Sequence, residues 1–157
     1  MKSKILNIII FVFFSTFVKA ENISIESKKI TLDKKSELSI FEEDVIITTS
    51  ENNVIKGDYA EYNKKQGIIV LKKNIEAIDN KKNKLNSDHV VYNDNLKLLT
   101  SKGITKIITS ENYLIEGKDI IFDNLNKYII SDNETTIKDQ ENNKIYLNNF
   151  KYLINDY

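Results

Sequence analysis

The feature that most constrains this sequence is a repeat of 30 residues that runs from Val54 to Leu153. Each unit is closed by an aromatic residue, and these residues are Tyr62, Tyr92, Phe122 and Tyr152. Two apolar columns in the same register consist of Ile55, Leu85, Ile115 and Ile145, and of Ala60, Val90, Ile120 and Phe150. A fixed period of this length indicates stacked units, none of which can bury its apolar face alone.

The units consist of short runs rich in Ile, Val, Tyr, Phe and Thr, which is typical of β-strands. Polar turns such as Asn63–Gly67 and Asp79–Asn83 separate the runs, and their Asn, Asp and Gly residues favour tight reversals. No window after residue 21 sustains a helical period. We therefore expect an all-β chain with about four short strands in each unit.

Alternation within the strands predicts a continuous apolar interior. Positions 55 and 57 point to one face, as do positions 60 and 62, while the columns that begin at Lys56 and Asp58 are mostly polar. The column formed by Gly57, Ser87 and Gly117 is small until Leu147 breaks it, which is consistent with space left in the interior, although glycine in strands also marks twists and bulges.

A stack built by repetition ends in strands with unpaired N–H and C=O groups. Phe150–Leu153 is the last predicted strand, and nothing after it resembles a cap. Two interpretations remain open. The terminal strand pairs with another molecule by strand addition, which includes head-to-tail self-association, or the chain is part of a longer protein.

The first twenty residues have the layout of a secretory signal peptide. Lys2 and Lys4 precede an apolar run, Ile5–Val18, and the small-x-small sequence Val18-Lys19-Ala20 ends the segment. The run is shorter than the roughly 20 residues of a membrane-spanning helix. We predict a signal peptide at residues 1–20 and one domain at residues 21–157, with an uncleaved anchor as the alternative.

Composition excludes several functional classes. The 23 basic residues balance 23 acidic ones, so the chain lacks the positive charge of a nucleic-acid-binding protein. All of the basic residues are Lys, which cannot make the bidentate phosphate contacts of Arg. Cysteine is absent, so disulfides and Cys-based zinc sites are excluded.

No residue pattern indicates catalysis. His89 is the only histidine, and its neighbour Asp88 points to the opposite face of a strand. The acidic run Glu42–Asp44 lies between predicted strands, where carboxylates usually decorate a solvated turn. The sequence predicts a protein without catalytic residues, metal ligands or a cofactor.

The repeat unit resembles the OstA-like repeat of the LptA family, which the periplasmic N-terminal domain of LptD shares. Asp58, Ala60 and Tyr62 match its first strand, and Gly67, Val70 or Leu71, Asn74 and Ile75 match its second, although Lys73 replaces the usual Gly. Asp88, Val90 and Tyr92 match again in the next unit, which carries Gly103-Ile104 at the later position, and Asp119, Phe122 and Asn133 match loosely in the third.

The resemblance implies a twisted, open β-jellyroll of stacked antiparallel strands in a lipopolysaccharide transport component. Lipid A acyl chains would lie in the apolar interior, so the three columns at positions 55, 60 and 62 and their repeats are the expected lipid-binding residues. It also implies a location in the periplasm or at the outer membrane, and edge-strand pairing with other Lpt components. The chain would be a stand-alone LptA-like protein or the front of an LptD.

Three alternatives remain. A membrane-anchored LptC-like component requires that residues 1–20 stay attached. A secreted structural β-solenoid would have a dry, filled interior, and a polysaccharide-active β-stack would need carboxylates that converge on a groove.

Overall fold

The computed structural model describes residues 23–154, and the predicted signal peptide lies outside this range. Within residues 23–154 the chain forms fourteen antiparallel β-strands and no helix, which confirms the prediction of an all-β, open jellyroll. Accordingly, this range contains no helical segment of the length and hydropathy needed to cross a bilayer.

The strands follow one another in chain order, mostly through tight turns. They are β1 (Ser24–Glu26), β2 (Lys29–Asp33), β3 (Leu38–Thr48), β4 (Val54–Asn63), β5 (Ile68–Ile78), β6 (Lys84–Asn93), β7 (Leu98–Ser101), β8 (Ile104–Ile108), β9 (Leu114–Lys118), β10 (Ile121–Asp123), β11 (Tyr128–Ser131), β12 (Thr135–Lys138), β13 (Lys144–Leu147) and β14 (Phe150–Leu153).

The four long strands β3–β6 pass through both halves of the fold. The register shifts at a β-bulge in the middle of each pairing, for example between Glu42 and Val45 of β3 and between Lys72 and Ile75 of β5. The bulge residues of β5, Lys73 and Asn74, have positive φ angles of 68° and 50°. A bulge bends the strand and increases its twist, so each long strand turns from one half-sheet into the other.

Beyond β6 the strands are interrupted at the position where the long strands have their β-bulges. Ser101 ends β7, and its buried Oγ accepts a hydrogen bond from the Ile120 N–H at 2.9 Å, which satisfies a backbone donor left by the break before β10. Gly103 (φ 81°) and Asp119 (φ 50°) turn the two neighbouring chain segments there. The prediction of four short strands per unit is therefore confirmed beyond β6. In the earlier part of the chain, the predicted strands Val54–Gly57 and Tyr59–Tyr62 are merged into the single strand β4.

Two half-sheets result, and their apolar faces enclose one core. The first half-sheet contains β1, one half of each long strand, and then β8, β9, β12 and β13. The second contains β2, the other halves, and then β7, β10, β11 and β14. At one end β1 and β2 each pair only with β3, and at the other end β13 and β14 each pair with one strand, so the sheet is open and not a closed barrel.

The turns of successive units are stacked by side-chain amides. Asn53 Oδ1 accepts a hydrogen bond from the Asn80 N–H at 3.2 Å, and Asn83 Oδ1 accepts one from the Ser110 N–H at 2.8 Å. Asn53 and Asn83 are 30 residues apart and both are buried. These bonds connect the first three turns of the first half-sheet and keep them in register, and Gln140 Nε2 connects the fourth turn by donating to the Glu111 carbonyl at 3.0 Å.

The small-residue column does not leave space at Gly117, which corrects the expectation from the sequence for that position. A Cβ atom on Gly57 would lie 3.5 Å from Ile75 Cγ1, and one on Gly117 would lie 2.8 Å from Thr135 Oγ1. Neighbouring strands approach too closely for a side chain at Gly117, whereas a Cβ atom on Gly57 would make ordinary van der Waals contacts, so the column indicates tight packing at Gly117 alone.

Candidate functional site

The interior of the first half-sheet is lined by one unbroken row of aliphatic side chains, which we call the isoleucine row. Its members lie directly opposite one another on nine successive strands. They are Ile25, Ile47, Ile55, Ala77, Leu85, Ile107, Ile115, Ile137 and Ile145.

The second half-sheet carries the matching aromatic row, also on nine strands. Its members are Leu32, Ser39, Tyr62, Ile69, Tyr92, Leu99, Phe122, Ile129 and Tyr152. Adjacent strands are about 4.8 Å apart, so eight intervals span roughly 38 Å. The two rows together form an apolar path that runs from one open end of the sheet to the other.

The twelve residues expected to bind lipid all belong to the interior face, but they differ in burial. Nine are buried, namely Ile55, Ala60, Leu85, Val90, Tyr92, Ile115, Ile120, Phe122 and Phe150. Tyr62 and Tyr152 are half-buried near the two ends. Ile145 is 56% exposed, because β13 is the last strand of its half-sheet and no strand covers it.

Both ends of the path expose apolar residues of the interior face. At the N-terminal end Ile30 and Leu32 of β2 are 52% and 65% exposed, and Leu32 is the first residue of the aromatic row. At the C-terminal end the exposed residue is Ile145. Exposed apolar side chains on unpaired edge strands favour contact with a further sheet or with an apolar ligand.

The interior is nearly filled in this closed state. A cavity of about 30 Å³ lies between the two rows, with Ile55, Leu85 and Ile107 on one side and Leu99 and Phe122 on the other. An acyl chain would therefore enter only if the half-sheets moved apart.

The turns of the two half-sheets meet along one long side of the fold, which we call the rim. It consists of the turns at 49–53, 79–83, 109–113 and 139–143 from the first half-sheet and those at 64–67, 94–97 and 124–127 from the second. At the rim, Lys97 Nζ bonds to Asp94 Oδ1 at 2.8 Å in its own turn. It also lies 3.4 Å from Ser50 Oγ and 3.6 Å from Glu51 Oε1 across the rim.

The rim cluster consists of Ser50, Glu51, Tyr92, Asp94 and Lys97, of which Tyr92 and Lys97 are buried, the Glu51 side chain is 31% exposed and Ser50 is exposed. The Lys97 side chain is 7% exposed and that of Asp94 is 13% exposed. Burial opposes ionisation of Glu51, but the Ser50 hydroxyl and the Lys97 ammonium lower the pKa of its carboxyl below the usual value. Burial raises the pKa of Tyr92 above its usual range, and the Glu51 and Asp94 carboxylates add to this effect.

A second contact across the rim is found 60 residues further along the repeat. The Tyr152 hydroxyl donates to Glu111 Oε2 at 3.1 Å, and these two residues stand 60 positions after Tyr92 and Glu51 of the rim cluster. Burial raises the pKa of Tyr152, and its hydrogen bond to Glu111 contributes. Our sequence analysis missed these rim residues, although the repeated triplets Thr49-Ser50-Glu51 and Thr109-Ser110-Glu111 were a possible signal.

The polar residues singled out in the sequence do not converge on a site. Glu42 pairs with Lys29 at 2.6 Å in the adjacent strand, and Asp44 pairs with Lys28. His89 is half-buried at the bend of β6, opposite Lys72. Across residues 23–154 no group of three His, Asp or Glu side chains lies close enough to hold a metal ion.

Comparison with known proteins supports the fold through structure and not through sequence. No protein-family model matches this chain, and no curated protein is similar to it in sequence. A similar solved structure is that of LptH, the LptA-homologous periplasmic component of the lipopolysaccharide transport device of Pseudomonas aeruginosa. The TM-score is 0.59 at 16% identity, and the match covers 66% of this chain and 76% of LptH. The chain therefore has the LptA-like β-jellyroll fold.

Proposed function

We propose that this protein is a periplasmic lipopolysaccharide transport component that shields acyl chains between its two half-sheets. The observation that carries the proposal is the LptA-like jellyroll whose isoleucine row continues without a break across nine strands between open ends, beside an aromatic row that Ser39 alone interrupts. Such a path can cover a long apolar chain along its whole length. The role requires no catalysis.

The energetics favour an amphipathic lipid with long acyl chains. Burial of each methylene group of a chain contributes about 0.8 kcal/mol. Entry must first separate side chains that already pack against one another, because the cavity is only about 30 Å³. Several buried methylene groups are needed to offset that loss, so short or singly charged polar molecules would bind poorly.

The open ends suggest how the protein would assemble with other components. β1 and β2 at one end and β13 and β14 at the other each leave a strand edge unpaired. Pairing with another Lpt component, or with a second copy head to tail, would extend both apolar rows into the neighbour. This arrangement fits a stand-alone bridge or the front of an LptD, whereas an LptC-like protein would in addition retain residues 1–20 as an anchor.

Photo-crosslinking to lipopolysaccharide tests the proposal. A photoreactive residue is placed at Tyr62, Phe122 or Tyr152 on the interior face, and at Lys56, Asn86 or Glu116 on the outer face of the first half-sheet as a control. Circular dichroism checks that each variant is folded. Adducts at the interior positions alone would support transport, and folded variants without any interior adduct would refute it.

One observation favours a second candidate, a structural β-module without lipid. The interior is packed around Tyr92, Ile69 and Leu71, which are at most 1% exposed, and little space remains. A module of this kind would show no interior adducts, and lipopolysaccharide would not change its unfolding temperature.

A further inference from the structure

The rim closes the long side of the interior by means of a polar cluster around the buried Lys97. Lys97, on the turn between β6 and β7, bonds to Asp94 in its own half-sheet and approaches Ser50 and Glu51 in the other. Apolar side chains of both rows lie directly beneath, among them Ile55 and Tyr92. The ionic contact is therefore placed where the half-sheets would have to part.

The chemistry of this cluster suits a contact that opens. Glu51 Oε2 is a buried oxygen without a hydrogen-bond partner, so the carboxylate is only partly satisfied in the closed state. Taking the Lys97 ammonium out of water carries a desolvation cost, whereas the Glu51 side chain remains 31% exposed. When the rim opens, the carboxylate and the ammonium regain their hydration, which offsets the lost contact.

The rim contacts recur on either side of the cavity. Tyr92 lies beside the first contact, where its hydroxyl donates to Asp94, and Tyr152 makes the second contact with Glu111. The aromatic residue midway between them is Phe122, which has no hydroxyl. The cavity lies beside Phe122, and Asp79 and Asn124 line it where the turns meet. This is the place where interior space approaches the rim.

We propose that the rim is a lateral gate, in which the Glu51–Lys97 contact holds the half-sheets together and an acyl chain enters sideways beside Phe122. The inference rests on the proposed function and adds the route of entry to it. The charged headgroup stays outside at the turns, because the two rows beneath offer it no polar partners.

The first test joins the two sides of the rim covalently. The chain has no cysteine, so the double variant Glu51→Cys/Lys97→Cys can be treated with a short bismaleimide that links only these positions. The matched control is Glu51→Cys/Asn80→Cys, which links neighbouring turns within the first half-sheet, where Asn80 Nδ2 already donates to the Glu51 carbonyl at 3.3 Å. Both variants carry a photoreactive residue at Phe122, and the readout is the yield of lipopolysaccharide adducts in the full chain.

We expect that linkage across the rim lowers the adduct yield at least tenfold, while the control linkage leaves it within twofold of the unlinked protein. Equal yields in both linked proteins would overturn the gate and leave the transport proposal standing, because lipid would then enter through the open ends. Absence of adducts in the unlinked parent as well would overturn both.

A second test weakens the gate without any linkage. Glu51→Gln removes the charge across the rim with little change of shape, and Glu76→Gln on the outer face is the matched control. The initial rate of adduct formation at Phe122 should rise severalfold in Glu51→Gln and stay unchanged in Glu76→Gln. An unchanged or slower rate in folded Glu51→Gln protein would overturn the gate.

Discussion

Gly117 of β9 and Thr135 of β12 lie so close together that a Cβ atom on Gly117 would be 2.8 Å from Thr135 Oγ1. Thr135 is buried, and its hydroxyl donates to the Asn133 carbonyl at 3.0 Å, so it cannot turn aside without losing that bond. Gly117→Ala should therefore lower the free energy of unfolding by about 1–3 kcal/mol, as overpacking usually does. Urea unfolding followed by circular dichroism measures the change.

The matched control is Gly57→Ala, in the same column of the repeat two units earlier. A Cβ atom there would meet Ile75 and Leu71 at 3.5 and 3.6 Å, which are ordinary van der Waals distances. We expect a change within about 0.5 kcal/mol, or a small gain from the reduced freedom of the unfolded chain. Equal destabilisation by both substitutions would show that the contact with Thr135 is not the cause.

A buried hydroxyl at Ser101 compensates for the break between β9 and β10. Its Oγ accepts hydrogen bonds from the Ile120 N–H at 2.9 Å and from the Thr105 hydroxyl at 2.7 Å. Ser101→Ala would leave the Ile120 N–H buried without a partner, which costs about 1–3 kcal/mol. Chemical unfolding should show this loss, and hydrogen exchange at Ile120 should become faster.

Ser110→Ala is the control for this prediction, because Ser110 lies exposed in a turn. Its free energy of unfolding should change by less than about 0.5 kcal/mol. If Ser101→Ala lowered the free energy of unfolding as little as Ser110→Ala does, the Ser101 hydroxyl would not be what stabilises the chain at the break between β9 and β10.

The repeat was sufficient to predict which face of each strand is interior. Ile55, Tyr92 and Phe122 lie in the rows that their columns indicated, because alternation along a strand alone decides the face on which a side chain lies. The all-β fold follows from the same pattern together with the polar turns.

Contacts that join distant columns could not be predicted in this way. Glu51 and Lys97 lie 46 positions apart in two different turn families, and they meet only because the long strands bend at their bulges. The exposure of Ile145 depends on where the sheet ends, which a repeated column cannot indicate. The packing at Gly117 could not be predicted from its column either. A small residue is compatible with open space and with close packing, and the position of Thr135 decides between the two.

The edge strand β13 offers a test of assembly. Ile145→Lys places a charge at the exposed end of the isoleucine row, where another sheet would extend that row. An inward-pointing charge at an edge opposes strand addition, so we expect the variant to stay monomeric at concentrations where the parent associates. Analytical ultracentrifugation over a range of concentrations measures this difference.

The control for the edge substitution is Tyr146→Lys, which lies on the same strand but points to the outer face and is 73% exposed. It should associate like the parent, and both variants should unfold at the parent's temperature because neither position is enclosed. Association that is equally strong in the parent and in Ile145→Lys would argue against extension of the apolar row.

His89 provides a test of the electrostatics at the bend of β6. Burial lowers the pKa of its imidazole below the usual 6.5, and the positive charges of Lys102 and Lys72 lower it further. Lys72 lies opposite His89 on β5, and the Lys102 N–H donates to the His89 carbonyl at 2.9 Å. Since His89 is the only histidine, an NMR titration of its ring protons gives this pKa directly.

The sign of the effect on stability follows from this shift. As the pH falls below about 6.5 the unfolded chain binds a proton at His89 before the folded chain does, so this residue lowers the free energy of unfolding on acidification. Lys102→Gln should raise the pKa of His89 towards its usual value and reduce that loss, whereas Lys106→Gln on the outer face of β8 should leave it unchanged. An imidazole pKa at or above 6.5 in the parent would contradict the placement of His89 between the two lysines.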